Sequence, residues 1–211
     1  MLRADALHRL DIEGVDEMLR TGITTVIDLR HPDELAHQPN PFNGHHSVAY
    51  HNVSLLEGLA PSVLGDSDVL LDLYKTALLQ RQPALAEVLQ IIADAPPGAV
   101  LFHCTAGKDR TGIVAALLLG VVGVEAALIV EDYALTAGYL APIMAELTAG
   151  AVARGADPVG FERLLASEPS TMVATLAFIE SEFGSVSAYL DRIGLEPAAV
   201  ERLRDRLVGE I

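Results

Sequence analysis

Residues 98–112 read Gly-Ala-Val-Leu-Phe-His-Cys-Thr-Ala-Gly-Lys-Asp-Arg-Thr-Gly, and the side chains best suited to do chemistry lie here. Cys104 is a candidate nucleophile, and Arg110 stands at the end of a Cys-x5-Arg spacing. The arginine fork holds two oxygens of a tetrahedral oxyanion at once, which a lysine ammonium does not. The apolar, β-prone run Val100–Phe102 leads into a short polar loop, and a helical apolar pattern starts at Ile113. Strand, tight loop and helix start together gather backbone N–H groups around an anion. Thr105, Ala106, Gly107, Lys108, Asp109 and Arg110 are therefore the candidate phosphate cradle. Cys104 sits at the strand end, where that field favours thiolate over thiol. A thiolate beside an anion cradle is equipped for phosphoryl transfer to sulfur, followed by hydrolysis. The competing reading makes Cys104 a small buried hydrophobe and Arg110 a helix-start ion pair.

The rest of the chain must hold that loop. Asp11 caps a helix over 11–21 with Ile12, Val15, Met18 and Leu19 on one stripe, and Gly22 ends it. Thr24–Arg30 is a β-branched, buried strand, whose end places Asp28, Arg30 and Glu34 beside a site or in a salt-bridged scaffold, the scaffold being favoured. Residues 31–46 are rich in Pro, Asn and Gly and read as a loop; Ser47–Leu55 is a further strand. A loop over 58–68 precedes two amphipathic helices, 68–80 and 83–94. After the loop motif, Thr111–Gly123 is apolar all round and reads as a central buried helix, followed by another over 124–136. Residues 137–169 break into short pieces, and helices over 170–183 and 196–208 close the chain. The alternation of strands and helices predicts one α/β domain, 1–211, with a central, mostly parallel sheet flanked by helices.

Composition narrows the function. At 211 residues, half of them hydrophobic, the chain can bury one sizeable core. A formal net charge of −15 argues against nucleic acid and against stable association with an anionic membrane. Lys75 and Lys108 are the only lysines, and one of them lies inside the motif. With Cys104 as the sole cysteine, neither an intrachain disulfide nor a CxxC redox pair can form. His45, His46 and His51 lack the spacing of a closed zinc site, and neighbours on an extended strand face opposite ways, so no metal is expected. Met1–Leu10 carries Arg3, Asp5, His8 and Arg9 with no apolar core, and the longest apolar run, Gly112–Val124, is short for a bilayer. A cytoplasmic protein is expected, with signal-less export compatible.

The segment His103-Cys104-x5-Arg110-Thr111, and more fully HCTAGKDRTG, resembles the signature of cysteine-dependent protein tyrosine phosphatases. It is similar to the bacterial-type branch that includes dual-specificity and phosphoinositide-active members. The resemblance extends to GITTVIDLR with its Pro/Glu-bearing loop, and fades after about Leu140. It implies a phosphoric monoester hydrolase acting on phosphotyrosine proteins through a phosphocysteine, with dual specificity within reach and no cofactor. Phosphoinositide hydrolysis and a non-catalytic phosphate-binding module are the alternatives. A rhodanese-like sulfurtransferase fits less well, its loop being a residue shorter.

The same resemblance implies Asp109 as general acid; Glu57, then Asp66 or Asp68, are the other carboxylates for that role. His103 orders the loop, and the Thr111 hydroxyl supports the sulfur as it leaves. Lys108 either binds a second phosphate at the rim or pairs with Asp109. Family members carry a helical lid over the site, here placed at about 137–169. They also carry a strand before the arginine segment Leu2-Arg3-Ala4-Asp5, so the first sheet edge is expected to be shortened, missing or supplied otherwise.

Overall fold

The computed structural model describes residues 1–55, 69–153 and 155–209. Four strands form one wholly parallel sheet: β1 (Leu2–Ala4), β2 (Ile23–Asp28), β3 (Ala49–Asn52) and β4 (Ala99–His103), in the order β1-β4-β2-β3. β4 is central, with Phe102 opposite Arg3 on one side and Ile27 on the other. The edge strand left open by the sequence is present and short, three residues around Arg3. The central strands β2 and β4 are buried on both faces, and β4 reads as a nearly unbroken apolar run. Val26, Leu101 and Phe42 pack on one face, under α1 (Ile12–Arg20). Ile27, Val100 and Phe102 pack on the other, against the larger core.

α1 starts where Asp11 accepts from the Gly14 N–H at 2.8 Å. The stretch 31–46, expected to be loop throughout, contains a helix, α2 (Pro32–His37). It is short because its stability is concentrated at its start: His31 Nδ1 accepts from Asp33 N, Glu34 accepts from His31 N at 2.8 Å, and proline occupies the first turn. His45 and His46 follow α2 outside any strand, as the loop composition of 31–46 predicts, and their rings stack at 4.8 Å.

α3 (Val69–Gln80) and α4 (Gln82–Asp94) lead into β4. α5 (Asp109–Val121) follows the loop and is buried on nearly every side, from Thr111 to Val121. α6 (Ala126–Leu140) runs past the expected end at Thr136, and a 3-10 turn at Ala141–Ile143 joins it to α7 (Met144–Ala153). The resulting 28-residue run Ala126–Ala153 is, by length and composition alone, long and apolar enough to cross a membrane, unlike the shorter run singled out in the sequence. Here its α6 portion packs on α9 (Pro169–Phe183) and buries Ile129, Tyr133 and Leu140. α8 (Pro158–Leu165), α10 (Val186–Arg192) and α11 (Pro197–Val208) complete the domain. α10 was not foreseen; Ser185 caps it by accepting from Ala188 N at 3.0 Å.

Candidate active site

The site is the junction between β4 and α5. β4 ends in His103, and the next residue, Cys104, is a free, buried cysteine, 2% exposed. The loop then turns through Gly107 at φ +63°, a conformation that costs glycine little. A Cβ at Gly107 would stand 2.6 Å from the Ala4 carbonyl oxygen, so the chain leaving β1 lies directly against the loop. Ala6 N donates to Thr105 O at 3.1 Å and fastens the two together. None of the backbone N–H groups of Thr105, Ala106, Gly107, Asp109 and Arg110 donates to another of the described residues. Those amides, at the start of a 13-residue helix, remain available to an oxyanion.

Arg110 stands in the first turn of α5, and Glu34 of α2 grips it. Nη1 donates to Oε2 at 2.5 Å and Nη2 to Oε1 at 3.1 Å. Thr105 closes the group: its hydroxyl donates to Glu34 Oε1 and accepts from Arg110 Nη2 at 3.1 Å. Burial disfavours the Glu34 charge, but the Arg110 hydrogen bonds and charge outweigh it and hold the carboxyl down to about 2. Burial likewise disfavours the Arg110 charge, yet negative charge at Cys104, Glu34 and Asp109 raises the guanidinium above its ordinary value. The sequence could place Glu34 near the strand end; its two-point hold on Arg110 depends on the helix that the loop composition concealed.

Behind the loop, His103 is fully buried. Its Nδ1 lies 3.0 Å from Cys104 O, and since a carbonyl only accepts, Nδ1 carries the proton. Nε2 then accepts from Asn40 Nδ2 at 2.8 Å, while Asn40 also donates to Asp28 Oδ2 at 3.0 Å. Asp28 in turn receives Arg30 Nε at 2.9 Å and Nη2 at 2.7 Å, and the Tyr50 hydroxyl at 3.2 Å. Burial works against the Asp28 charge, but the hydrogen bonds from Arg30 and Asn40 hold its carboxyl well below the usual carboxylate range. Asp28 and Arg30 thus form a buried scaffold pair, both 0% exposed. Asn40 had no distinguishing signal in the sequence: it is one polar residue among the turns of 38–46.

Two expectations are refined by position. Lys108 is not at the rim: its side chain is fully buried, with Nζ 3.1 Å from Asp109 Oδ1. Thr111 is also fully buried, and its hydroxyl makes no hydrogen bond among the described residues, so contact with sulfur is not made in this state. Asp109 is a quarter exposed and accepts from the Tyr74 hydroxyl of α3 at 2.7 Å. Glu57, Asp66 and Asp68 lie outside the described residues. The arrangement as a whole offers a sulfur nucleophile, an amide cradle, a fixed guanidinium and one loop carboxylate.

The sequence pattern of the tyrosine phosphatase family matches residues 1–209. A tyrosine-protein phosphatase of Nostoc commune is 36% identical over 218 aligned positions, spanning 98% of this chain and 73% of that protein. The triple specificity protein phosphatase PtpB of Mycobacterium tuberculosis is 28% identical over 252 positions, spanning 99% and 91%.

Proposed function

This chain belongs to the tyrosine phosphatase family, and from that membership we propose that it hydrolyses phosphotyrosine in proteins through a phosphocysteine on Cys104. The single observation that carries the reading is the placement of Cys104 between the end of β4 and an amide loop whose Arg110 is fixed by Glu34. Cys104 Sγ attacks phosphorus, forming the S–P bond as the P–O bond to the leaving group breaks. Loop amides and Arg110 take the equatorial oxygens, and such preorganised donors act most strongly where charge develops in the transition state. Asp109 delivers the proton to the departing oxygen, as a carboxyl in the loop can reach the scissile bond. In the second step water attacks phosphorus, Asp109 accepts its proton, and Cys104 leaves as thiolate, which the Thr111 hydroxyl at the start of α5 would support. His103 sets the loop through its bond to the Cys104 carbonyl.

The Mycobacterium tuberculosis relative is a triple specificity protein phosphatase, which supports a tolerance wider than phosphotyrosine, and we extend dual specificity to this chain on that ground. The net charge of −15 supports protein substrates over nucleic acid or an anionic membrane. We read α7 and α8 as the lid: Glu146 of α7 meets Arg9 at 3.3 Å, and Arg9 pairs with Asp5, beside the residues that brace Gly107.

Hydrolysis of p-nitrophenyl phosphate in EDTA by the wild type and by Cys104→Ser tests the reading. Turnover that disappears in the serine variant is expected; equal rates in the two proteins sink it.

A further inference from the structure

Two buried phenols converge on the loop carboxylate. Tyr74 of α3 is fully buried and donates to Asp109 Oδ1 at 2.7 Å. Tyr133 of α6 is 1% exposed, and its hydroxyl lies 2.9 Å from that of Tyr74, with the rings edge to face at 6.4 Å. A phenol has one proton to give. Because Tyr74 gives its proton to the carboxylate, the Tyr74 oxygen is the acceptor for Tyr133, and the direction of the chain is fixed. Burial, followed by the nearby Asp109 charge, raises both phenols above their ordinary values, so both stay donors. The fold also makes room for the second ring: a Cβ at Gly112, in the first turn of α5, would meet Tyr133 ring carbons at 3.1 and 3.2 Å.

Among the described residues, the charged and titratable groups around this carboxylate come from four elements. Tyr74 faces it from α3, Tyr133 from α6, Lys108 from the loop at 3.1 Å, and Arg110 from its own helix. Glu168, at the start of α9, faces Tyr133 in turn. Tyr74 and Lys108 both approach Oδ1, so Oδ2 is the oxygen they leave to a substrate.

We propose that Tyr74 and Tyr133 are positioning residues, a two-phenol relay that pins Asp109 Oδ1 and turns Oδ2 toward the leaving-group oxygen. The inference rests on the reading of Asp109 as general acid given above. A proton donor held in place matters little when the leaving group departs readily as an anion. It matters most when the leaving oxygen is basic. A tie that serves only to hold α3 against the loop would instead slow every substrate alike.

The test is kcat/KM for a series of aryl phosphates, from 2,4-dinitrophenyl to 4-methylphenyl phosphate, in the wild type, Tyr74→Phe, Tyr133→Phe and Asp109→Asn. Thermal melts confirm that each variant is folded. For Asp109→Asn, the rate on 4-methylphenyl phosphate should fall about 10²–10⁴-fold, and far less on the dinitrophenyl ester. For Tyr74→Phe, the ratio of the two rates should rise about tenfold, the loss residing in kcat and not KM, as expected for a group held off its productive geometry. Tyr133→Phe should move the ratio the same way by a smaller factor, and it carries the test should Tyr74→Phe not fold. A steep Asp109→Asn series with flat tyrosine series overturns the relay alone. A flat Asp109→Asn series overturns the acid assignment and the relay with it.

Discussion

Glu34 and Arg110, 76 residues apart in the chain, meet as a bidentate pair, Nη1 to Oε2 at 2.5 Å and Nη2 to Oε1 at 3.1 Å. The guanidinium is planar, so two bonds to one carboxylate fix its plane as well as its position. Glu34 is itself fixed at the start of α2 by the His31 N–H at 2.8 Å. Arg110 is thus aimed before any oxyanion arrives. Glu34→Ala should release that aim and lower kcat/KM by about 10²-fold, the scale of a misplaced catalytic contact. Steady-state kinetics on p-nitrophenyl phosphate measures it; a change below about threefold would mean that the loop alone orients the arginine.

The same pair ties stability to acid. Glu34 is held down to about 2 from an ordinary 4.5. A carboxyl depressed by folding contributes stability that is present above its unfolded value and lost as pH falls through its folded value. For Glu34 that window runs from 4.5 down to about 2. Asp28, held lower still, adds a loss that begins near 3.8 and continues below the Glu34 window. Glu34→Gln keeps much of the shape without the titration. Its melting temperature should therefore fall less steeply than the wild type's between pH 4.5 and 2, and parallel curves would refute the assignment.

The contiguous part of this site was legible because it is contiguous: strand, Cys104, loop amides, Arg110 and helix start all lie within 99–121. Strand and helix positions followed from apolar periodicity, as for β2, where only the ends moved. What stayed hidden arrives from a distance. Tyr74 and Tyr133 lie in stretches whose pattern signals helices and nothing more, and nothing local marks the 2.9 Å contact between their hydroxyls. Asn40 meets His103 across 63 residues. α2 was concealed for a different reason. Proline and asparagine around it signal a loop, while its start signal uses histidine where serine or threonine is usual. The helix expected over 124–136 runs on through Gly138 to Leu140, because a single glycine costs a helix only about 1 kcal/mol.

Lys108 bears on substrate choice through its burial. A rim cation would recognise a second phosphate; a fully buried one, with Nζ 3.1 Å from Asp109 Oδ1, acts on the loop itself. Lys108→Met keeps the stem and removes the charge. It should lower turnover of a phosphotyrosine peptide and of a bisphosphorylated inositol lipid by similar factors. A loss about tenfold greater on the bisphosphate, worth about 1.4 kcal/mol, would return Lys108 to the role of a substrate contact.

Gly107 joins the loop to the sheet edge, and two glycines separate the causes of its importance. Gly107 (φ +63°) and Gly22 (φ +79°) both occupy the left-handed region, where a side chain costs about 1–2 kcal/mol. At Gly22 a new Cβ would meet nothing within 4 Å, so Gly22→Ala should cost that strain and leave turnover unchanged. At Gly107 the new Cβ would lie 2.6 Å from Ala4 O and 2.8 Å from Ala4 C, backbone atoms of the strand end that cannot rotate away. Either β1 must leave β4, or the loop must flatten and turn its amides away from the anion position. Gly107→Ala should therefore lose more stability than Gly22→Ala in urea unfolding, and in addition about 10²-fold or more in kcat/KM, comparable to losing an oxyanion donor. Equal stability losses with retained turnover would show that the loop holds its shape without the Ala4 contact.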